Sequence, residues 1–506
     1  MKKGVYLVGG GPGDKKLITV RGLEILRVCD ALVYDELVSP FLLAEAKAEC
    51  RKIYVGKKAG KHSMKQEDIN ALLLKLSKEH QFVVRLKGGD PYVFGRGSEE
   101  GEYLIRHKVH VEIIPGITSA IGGLAAAGIP VTARNKATSF HVITGHISEA
   151  SNPIQYEMLA KLDGTLIFLM GVKNLNHIVD QLLKGGKPET TPVAIIYKAS
   201  TAEQRVYTGS LHTIVDIALE NQIQPPALIV VGEVVNYHGL LPSYDNKKLE
   251  GVNVVVTRSK DRNSKFSEKL ETLGANVIEM PTIKFEPINQ DALRHQINQL
   301  KEMFGIIFTS SVAVEMFFKA LFELGYDARI LHGLELIVVG KETAKTLKEY
   351  GIVADRMPDN FSRQGVIKLF ESENFAERKY LLPRSQRSDN DWLLDLEKYI
   401  TPVIIDCYKT VTDTSSYCDL NLIKKADYIT FTSSSTVEGL IERVKQEGMS
   451  ASDILSNLKI VAIGPMTAEA LIKNNIQVDL IPAEYTIDGM VDEIYRDYDG
   501  GNIYDK

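Results

Sequence analysis

Two glycine-rich segments near the N-terminus have the residue types of a ligand-binding loop. Residues 9–13 read GGGPG and residues 88–91 read GGDP, and each segment follows a short apolar run. Glycine lets a backbone approach a ligand closely, as loops that bind phosphates and cofactors require. However, residues 9–13 match neither a P-loop nor a GxGxxG fingerprint, and Pro12 has no N–H group to donate. Taken alone, the first segment could equally be a tight turn.

Asp35 and Lys57 are candidates for moving protons. Asp35 ends the apolar run ALVYD (31–35), which predicts a strand whose last side chain faces a cleft. A carboxylate there could accept a proton from a substrate, or it could cap a helix over ELVSPFLLAEA. Lys57 lies in VGKKAG (55–60), and by residue type alone a solvated surface lysine is the simpler interpretation.

Hydroxyl-rich segments and arginines recur in the C-terminal half. FTSS occurs at 308–311 and again at 431–434, and arginines occur in VTRS (256–259) and PRSQRSD (383–389). Hydroxyl and N–H groups at strand ends can donate to carboxylates, helix N-termini favour anions, and arginine can hold a carboxylate through two N–H groups. Each Ser or Thr could instead cap a helix. The candidate anion-binding residues are Arg258, Thr309, Ser310, Arg384, Arg387, Ser433 and Thr467.

Short apolar runs alternate with amphipathic stretches along the whole chain, as in GVYLVGG, TVRGLEILRVC and ALVYD. This alternation predicts an α/β fold with mostly parallel strands. A second set of such runs follows the first, so we predict two lobes, about 1–135 and 136–240. Residues 241–250 lose the periodicity and gather Pro, Asn and charged residues, which predicts a linker with little to bury.

The chain beyond this linker repeats itself. FTSSVAVEMFFKAL (308–321) is echoed by FTSSSTVEGLIERV (431–444), and residues 337–358 resemble residues 461–482. Such a repeat predicts a duplicated unit. We therefore expect two flavodoxin-like domains of four or five strands within 251–495, domain A from 251–285 plus 408–495 and domain B from 286–405, with a ligand in the cleft between them.

Composition and charge exclude several classes of protein. The chain has 506 residues, 60 Lys and Arg, 65 Asp and Glu and a net charge of -5, so nothing indicates binding to nucleic acid or to an anionic membrane. No stretch reaches the roughly 20 apolar residues of a membrane span, and the N-terminus lacks a secretory signal. We expect a cytoplasmic protein. The four cysteines form no CxxC pair, which argues against a zinc site and disulfides; they are Cys29, Cys50, Cys407 and Cys418.

Six motifs in the N-terminal half occur in the order of one known family. They are GxGPGDxxLxT at 9–19, VYDELVS at 33–39, VGKKAG at 55–60, GGDPYVFGRG at 88–97, PGITSA at 115–120 and LMG at 169–171. Over about residues 1–240 the chain thereby resembles uroporphyrinogen-III C-methyltransferase, with its two-lobed tetrapyrrole methylase fold. The resemblance implies transfer of methyl from S-adenosylmethionine to C2 and C7 of uroporphyrinogen III, giving S-adenosylhomocysteine and precorrin-2, on the route to sirohaem or cobalamin.

The same resemblance implies roles for individual residues. Asp35 matches the family's proton acceptor and Lys57 its proton donor, while Asp90 would accept from the ribose or the amino group of the methyl donor. Met170 could otherwise be a core filler. Ala199 and Ala133 stand where the family more often has glycine and histidine. The implied donor-binding residues are Pro12, Gly88, Gly89, Asp90, Val93, Thr118, Ser119, Met170 and Ala199.

The duplicated half resembles uroporphyrinogen-III synthase, through VTRS, both FTSS segments, PRSQRSD and IGPMTAEAL (463–471). That family closes hydroxymethylbilane, a linear octacarboxylate, while inverting its last ring, and it uses no cofactor. Tyr408 matches the tyrosine that is thought to assist departure of the bilane hydroxyl; a half-buried hinge tyrosine is the alternative. Ser385 and Gln386 stand where the family usually has Gly-Asp.

We therefore expect one polypeptide with two consecutive activities on small-molecule tetrapyrroles, without metal, nucleic acid or membrane, as a homodimer through its methyltransferase half. One alternative is an RNA methyltransferase, because relatives of the donor fold modify RNA, although the net charge of -5 speaks against it. The other is a methyltransferase whose C-terminal half senses tetrapyrroles without turning them over.

Overall fold

The structure is a computed structural model, and it describes residues 1–47, 49–56, 64–146, 154–243, 247–360, 362–371, 378–386, 390–414 and 420–502. Over these ranges no helix combines the length and the apolar character that crossing a bilayer requires. Nor do three or more His, Cys, Asp or Glu side chains gather there in a way that could hold a metal ion.

The first sheet is entirely parallel, with the order β3-β2-β4-β1-β5. Its core strands are mostly apolar because helices cover both faces, and the buried Arg85 and Lys87 of β4 are exceptions. The strands are β1 (Gly4–Gly9), β2 (Ala31–Tyr34), β3 (Arg51–Tyr54), β4 (Phe82–Lys87) and β5 (Val111–Ile114). The helices are α1 (Val20–Val28), α2 (Gln66–Glu79), α3 (Gly97–Arg106) and α4 (Ser119–Ala126).

The second sheet is mixed, with the order β6-β7-β10-β8-β9. β10 runs antiparallel to both its neighbours, and β8 runs antiparallel to β9. The expectation of mostly parallel strands is wrong here, because three of the four pairings are antiparallel. Between β8 and β9 the connection 198–204 is too short for a crossover helix. The strands are β6 (Phe140–Thr144), β7 (Thr165–Leu169), β8 (Pro192–Tyr197), β9 (Arg205–Ser210) and β10 (Ala227–Val231), and the helices α5 (Tyr156–Ala160), α6 (Leu175–Lys184) and α7 (Ile214–Glu220).

The C-terminal half contains two more sheets. The strands are β11 (Asn253–Val256), β12 (Asn276–Glu279), β13 (Ile283–Pro287), β14 (Gly305–Phe308), β15 (Glu335–Val338), β16 (Lys379–Ser385), β17 (Thr401–Thr412), β18 (Tyr428–Phe431) and β19 (Lys459–Ala462). The helices are α8 (Lys260–Thr272), α9 (Gln290–Asn298), α10 (Ser311–Glu323), α11 (Lys341–Glu349), α12 (Arg363–Phe370), α13 (Asp391–Leu396), α14 (Leu420–Ile423), α15 (Ser434–Gln446), α16 (Ala451–Leu455), α17 (Pro465–Lys473) and α18 (Ile487–Asn502).

These two sheets repeat one arrangement of four parallel strands. One has the order β12-β11-β18-β19, and the other has the order β17-β16-β14-β15, with β13 added antiparallel to β17. The two FTSS segments follow β14 and β18, which hold the same position in their sheets. The α/β fold class with two flavodoxin-like units is confirmed.

The chain passes from one of these sheets to the other twice. The expected boundaries at 285 and 408 both fall inside β13 and β17, which pair with each other, so the crossings lie outside these strands. The apolar pattern of the sequence does not reveal the crossings. β17 is one continuous strand that first pairs parallel with β16 and then antiparallel with β13. Arg443 of α15 joins both crossings, since its Nη1 donates to the carbonyls of Pro281 at 2.7 Å and Asp413 at 3.2 Å.

The predicted linker is partly packed. Leu249 is fully buried in the core of the C-terminal half, and its N–H donates to the carbonyl of Leu273 at 2.7 Å. Arg205 Nη1 also contacts Glu250 Oε1 at 2.9 Å. The expectation that this stretch has little to bury is therefore wrong at its C-terminal end.

Two of the cysteines lie together in space. Cys29 and Cys50 precede the neighbouring strands β2 and β3, and their Sγ atoms are 3.3 Å apart in the core. Both are free thiols, as is the buried Cys407; Cys418 lies outside the described residues. The sequence separation of Cys29 and Cys50 concealed this contact, which parallel pairing of the two strands creates.

Candidate active sites

The two glycine-rich segments form one structure at the carboxyl ends of the paired strands β1 and β4. The N–H of Gly89 donates to the carbonyl of Gly11 at 2.7 Å, and the N–H of Gly11 donates back at 3.2 Å. Gly89 has φ +68, and a Cβ placed on it would meet nothing closer than 3.8 Å. Gly89 therefore has room for a Cβ in ordinary van der Waals contact with the backbone of Thr118 and Ser119, in a conformation that favours glycine.

Asp90 fastens this structure to the PGITSA segment. Its Oδ1 accepts from the N–H of Tyr92 at 2.8 Å, and its Oδ2 accepts from the N–H of Gly116 at 2.9 Å. Thr118 is the N-cap residue of α4 and Ser119 is the first residue of that helix. Three segments that are distant in sequence thus meet at one end of the first sheet.

The second lobe contributes the loop of Ala199 to the same place. A Cβ on Gly13 would lie 2.8 Å from the carbonyl oxygen of Ala199, and a Cβ on Gly123 would lie 3.0 Å from the Ala199 Cβ. Met170 follows β7 with φ 57 and is 53% exposed, so the core-filler interpretation is wrong. A non-glycine residue held at positive φ is uncommon and often marks a functional site.

Asp35 follows β2, the neighbour of β4, with its side chain 27% exposed. Its Oδ2 accepts from Arg85 Nη2 at 2.9 Å, and its Oδ1 accepts from the N–H of Leu37 at 3.3 Å. The helix-capping alternative is wrong, because the segment after it forms only a 3-10 turn at Pro40–Ala44 whose N-cap is Ser39. Lys57 lies outside the described residues.

Exposed apolar side chains lie on the loops that carry Asp35 and Asp90. Leu37, Tyr92 and Phe94 are exposed, and a Cβ on Gly88 would meet the Leu37 Cβ at 2.7 Å. We call these three side chains the apolar rim. Clustered exposed apolar groups often mark a binding surface.

Tyr408 lies on β17 and is buried, at 5% exposure, not half-buried. Its hydroxyl is 3.0 Å from the Ser310 hydroxyl, and its ring packs edge-on against Phe285. Ser310 is also the N-cap of α10, accepting from the N–H of Ala313, and Thr309 precedes it. The structure therefore brings Tyr408 to the first FTSS segment.

Arg384 lies at the carboxyl end of β16 beside this group. Its Nε donates to Asp406 Oδ1 at 2.8 Å. Its Nη1 is buried and has no hydrogen-bond partner within the part of the chain that the structure describes. A buried guanidinium N–H without a partner is costly, so this geometry suits an anionic ligand. Arg387 lies outside the described residues.

The equivalent edge of the other sheet carries Arg258, Ser433 and Thr467. Ser433 is the N-cap of α15, in a capping box with Thr436. Thr467 is buried in the first turn of α17, after the N-cap residue Gly464. Ser310 and Ser433 are thus helix caps, as the alternative interpretation held. That does not prevent an anion from binding to the N–H groups of the same turns.

Sequence reasoning missed a group of buried charges beneath Asp35. Arg85 and Lys87 on β4 both contact Glu100 on α3. The available signal was the alternation of charged and apolar residues in RLK (85–87), inside a segment that is otherwise a buried strand.

Two family models match the chain. The model of tetrapyrrole (corrin/porphyrin) methylases matches residues 4–215, and the model of uroporphyrinogen-III synthase HemD matches residues 264–492.

Several known proteins resemble the chain. The porphyrin biosynthesis protein HemD of Ruminiclostridium josui is 38% identical over 508 residues, covering 99% of each chain. The uroporphyrinogen-III C-methyltransferase of Bacillus subtilis is 39% identical over 75% of this chain and 78% of its own. That of Priestia megaterium is 50% identical over 46% of this chain and 98% of its own. A solved uroporphyrin-III C-methyltransferase from Thermus thermophilus, complexed with S-adenosyl homocysteine, is 40% identical over 46% of this chain and 98% of its own, with a TM-score of 0.40.

Proposed function

The chain belongs to the family of tetrapyrrole biosynthesis proteins that join a methylase to a uroporphyrinogen-III synthase, and we propose that it catalyses two consecutive reactions. Its C-terminal half closes hydroxymethylbilane to uroporphyrinogen III. Its N-terminal half then methylates that product at C2 and C7, with S-adenosylmethionine as donor, to give precorrin-2. The observation that carries this proposal is the meeting of Asp35, the Gly89 loop and the Ala199 loop beside the apolar rim.

The residues at this place fit a methyl donor. The backbone of Gly89 lies against the first residues of α4 without crowding, and loops of both lobes approach each other at Gly13 and Ala199. The donor would be held by the nine residues that the sequence identified, through backbone groups at the glycines and side chains at Thr118 and Met170. When bound, it supplies a methyl group on a positively charged sulfur.

The chain's own part in methylation is placement and proton removal. A pyrrole carbon is an enamine-like nucleophile, so it needs in-line alignment with the methyl group, and a base must take the proton that the macrocycle releases elsewhere once this carbon carries the methyl group. The apolar rim would hold the macrocycle against the donor. Asp35, partly exposed at the end of β2, would take the proton, and Lys57 would serve as the donor of a proton.

The proposal for the C-terminal half rests on Tyr408, Ser310 and Arg384. The Tyr408 hydroxyl can donate to the bilane hydroxyl as it leaves, while Ser310, 3.0 Å away, holds the phenol in place. Arg384 Nη1, without a partner among described residues, would bind a substrate carboxylate. Arg258, Thr309, Ser433 and Thr467 would bind others. We expect the protein to be a cytoplasmic homodimer that binds no nucleic acid.

Incubation of the purified chain with hydroxymethylbilane, with and without S-adenosylmethionine, tests both reactions. We expect the type III isomer alone without donor, and a product with two added methyl groups with it. Formation of only the type I isomer, at the spontaneous rate, would favour a C-terminal half that senses tetrapyrroles. Absence of methyl transfer to supplied uroporphyrinogen III would refute the methyltransferase assignment.

A further inference from the structure

Three charged side chains, Arg85, Lys87 and Glu100, form a continuous group beneath Asp35. Arg85 and Lys87 project from the same face of β4, because residues two apart in a strand share a face. Arg85 Nε donates to Glu100 Oε1 at 3.3 Å, and Lys87 Nζ contacts both Glu100 oxygens at 3.1 and 3.2 Å. Gln66 Nε2 donates to the same Glu100 Oε1 at 3.2 Å. Glu100 is therefore the common acceptor of this group.

The group is withdrawn from solvent except at Asp35. The side chains of Arg85, Lys87 and Glu100 are 4%, 6% and 0% exposed, whereas that of Asp35 is 27% exposed. Burial, together with the neighbouring Arg85, lowers the pKa of Lys87. Two buried cations share the single buried carboxylate, so a second carboxylate is needed to compensate the charge of Arg85.

Asp35 supplies that second carboxylate. Arg85 Nη2 donates to Asp35 Oδ2 at 2.9 Å, while Arg85 Nη1 donates to the carbonyl of Leu86 at 3.1 Å. Each nitrogen of the guanidinium thus has its own acceptor, and the planar geometry of arginine fixes the direction of all three bonds. Arg85 thereby holds Oδ2 of Asp35, whereas Oδ1 accepts from the N–H of Leu37 at the longer distance of 3.3 Å.

We propose that Arg85 is a positioning residue for Asp35, and that Glu100 holds Arg85 in the required orientation. This inference rests on the proposed role of Asp35 in methylation. The alternative is a purely structural group, in which Arg85 stabilises the fold and Asp35 is only its surface neighbour.

A double-mutant cycle in the full-length protein separates these possibilities. Arg85→Gln should lower kcat of methylation about a hundredfold, the typical cost of misplacing a reacting group, with KM for S-adenosylmethionine unchanged. In the Asp35→Asn background, Arg85→Gln should cause no further loss of kcat, because residues that act through one another are non-additive. Arg85→Lys should restore part of the activity. The control is Arg27→Met, since Arg27 pairs with Glu45 in the same half at 2.9 Å.

An equal loss of kcat in both backgrounds, or a raised KM for the donor, would overturn the proposal. If Arg85→Gln does not fold, Glu100→Gln takes its place with the same expectation, because it leaves Arg85 present. Nitrogen-15 NMR of the arginine side chains gives a readout that is independent of turnover. The Arg85 Nη2 protons should be protected from exchange in the wild type and lose protection in Asp35→Asn. Unchanged protection in Asp35→Asn would refute the contact between Arg85 and Asp35. If protection is lost as expected but the wild-type protein transfers no methyl group, the contact stands and only the proposed function is refuted.

Discussion

Lys15 Nζ lies 2.9 Å from Glu271 Oε1, so an ion pair joins the segment after the glycine-rich loop to α8 of the C-terminal half. Lys16 Nζ contacts the other Glu271 oxygen at 2.5 Å. Phe41, from the turn after Asp35, packs against the core of the sheet that contains β11. The two halves therefore touch beside the loop that carries Pro12.

Glu271→Gln should loosen this contact. Although burial acts in the opposite direction, hydrogen bonds from Lys16 and Lys15 lower the pKa of Glu271. A carboxylate with a lowered pKa stabilises the folded state above its unfolded pKa, and this contribution is lost as the pH falls through the folded value. We expect the contact to persist at neutral pH and to be lost in acid, below the usual glutamate range.

Hydrogen exchange of residues 14–18 measures this effect. Exchange should be faster in Glu271→Gln at neutral pH, and it should accelerate on acidification only in the wild type. Glu268→Gln, on the exposed side of the same helix, is the control. Equal exchange in the wild type and Glu271→Gln would contradict the prediction.

The halves should nevertheless work apart. A fragment of residues 1–243 keeps the backbone of Leu241, 2.8 Å from a Cβ placed on Gly128, and a fragment starting at Lys247 keeps Leu249 in its core. We expect the first to methylate supplied uroporphyrinogen III and the second to form the type III isomer without a methyl donor. Circular dichroism checks folding, and loss of either activity in a folded fragment would show that the contact is required.

The sequence predicts the sheets and the motifs of the N-terminal site well, because both depend on local patterns. Apolar runs indicated the strands, and the repeated FTSS segments indicated equivalent positions in two sheets. Asp35 and Gly89 were identified through motifs that lie at strand ends. The roles of these residues stay predictions.

What the sequence did not predict depends on contacts between distant segments. Nothing in the surroundings of Glu271 indicates a partner 256 residues earlier at Lys15. The pairing of Cys29 with Cys50 and the burial of Leu249 have the same origin. Met170 is exposed at positive φ because of the turn that follows β7. The apolar sequence TLIFLM does not indicate that turn.

Asp35→Asn and Lys57→Ala should each suppress methylation while leaving binding of S-adenosylmethionine intact. Both residues are assigned to the tetrapyrrole and its proton, and general acid–base groups contribute roughly 100- to 10,000-fold to rate. Single-turnover methylation and calorimetric binding measure the two effects separately. Asp30→Asn, in the same half but paired with Lys47, is the control, and wild-type turnover in Asp35→Asn and Lys57→Ala would discard both roles.

Gly89→Ala should affect binding of the methyl donor, whereas Gly116→Ala should affect the stability of the fold. At Gly89 a Cβ meets nothing nearer than 3.8 Å, although φ +68 imposes a strain of about 1 kcal/mol. At Gly116 a Cβ would lie 2.2 Å from the carbonyl oxygen of Gly89, so the loops must separate. We expect Gly89→Ala to fold with weakened donor binding, and Gly116→Ala to lower the melting temperature. Unchanged calorimetric affinity in Gly89→Ala would remove that backbone from the donor site. Valine tolerates positive φ even less than alanine. With Gly89→Val, a loss of donor binding could therefore not be separated from backbone strain.

Tyr408→Phe should slow ring closure and raise the share of uroporphyrinogen I, which forms when closure is not guided. The substitution removes only the hydroxyl that lies 3.0 Å from Ser310, and the ring should keep its edge-on contact with Phe285, so the fold should persist. Ser310→Ala is the informative comparison. It removes the same hydrogen bond but keeps the phenol group of Tyr408. The lost cap of α10 should cost about 1 kcal/mol of stability. If the phenol acts on the bilane hydroxyl, Tyr408→Phe must impair closure more than Ser310→Ala. If both variants retain the wild-type yield and rate of the type III isomer, the hydroxyl has no part in the reaction, and the remaining polar groups of the cleft must direct closure through binding alone.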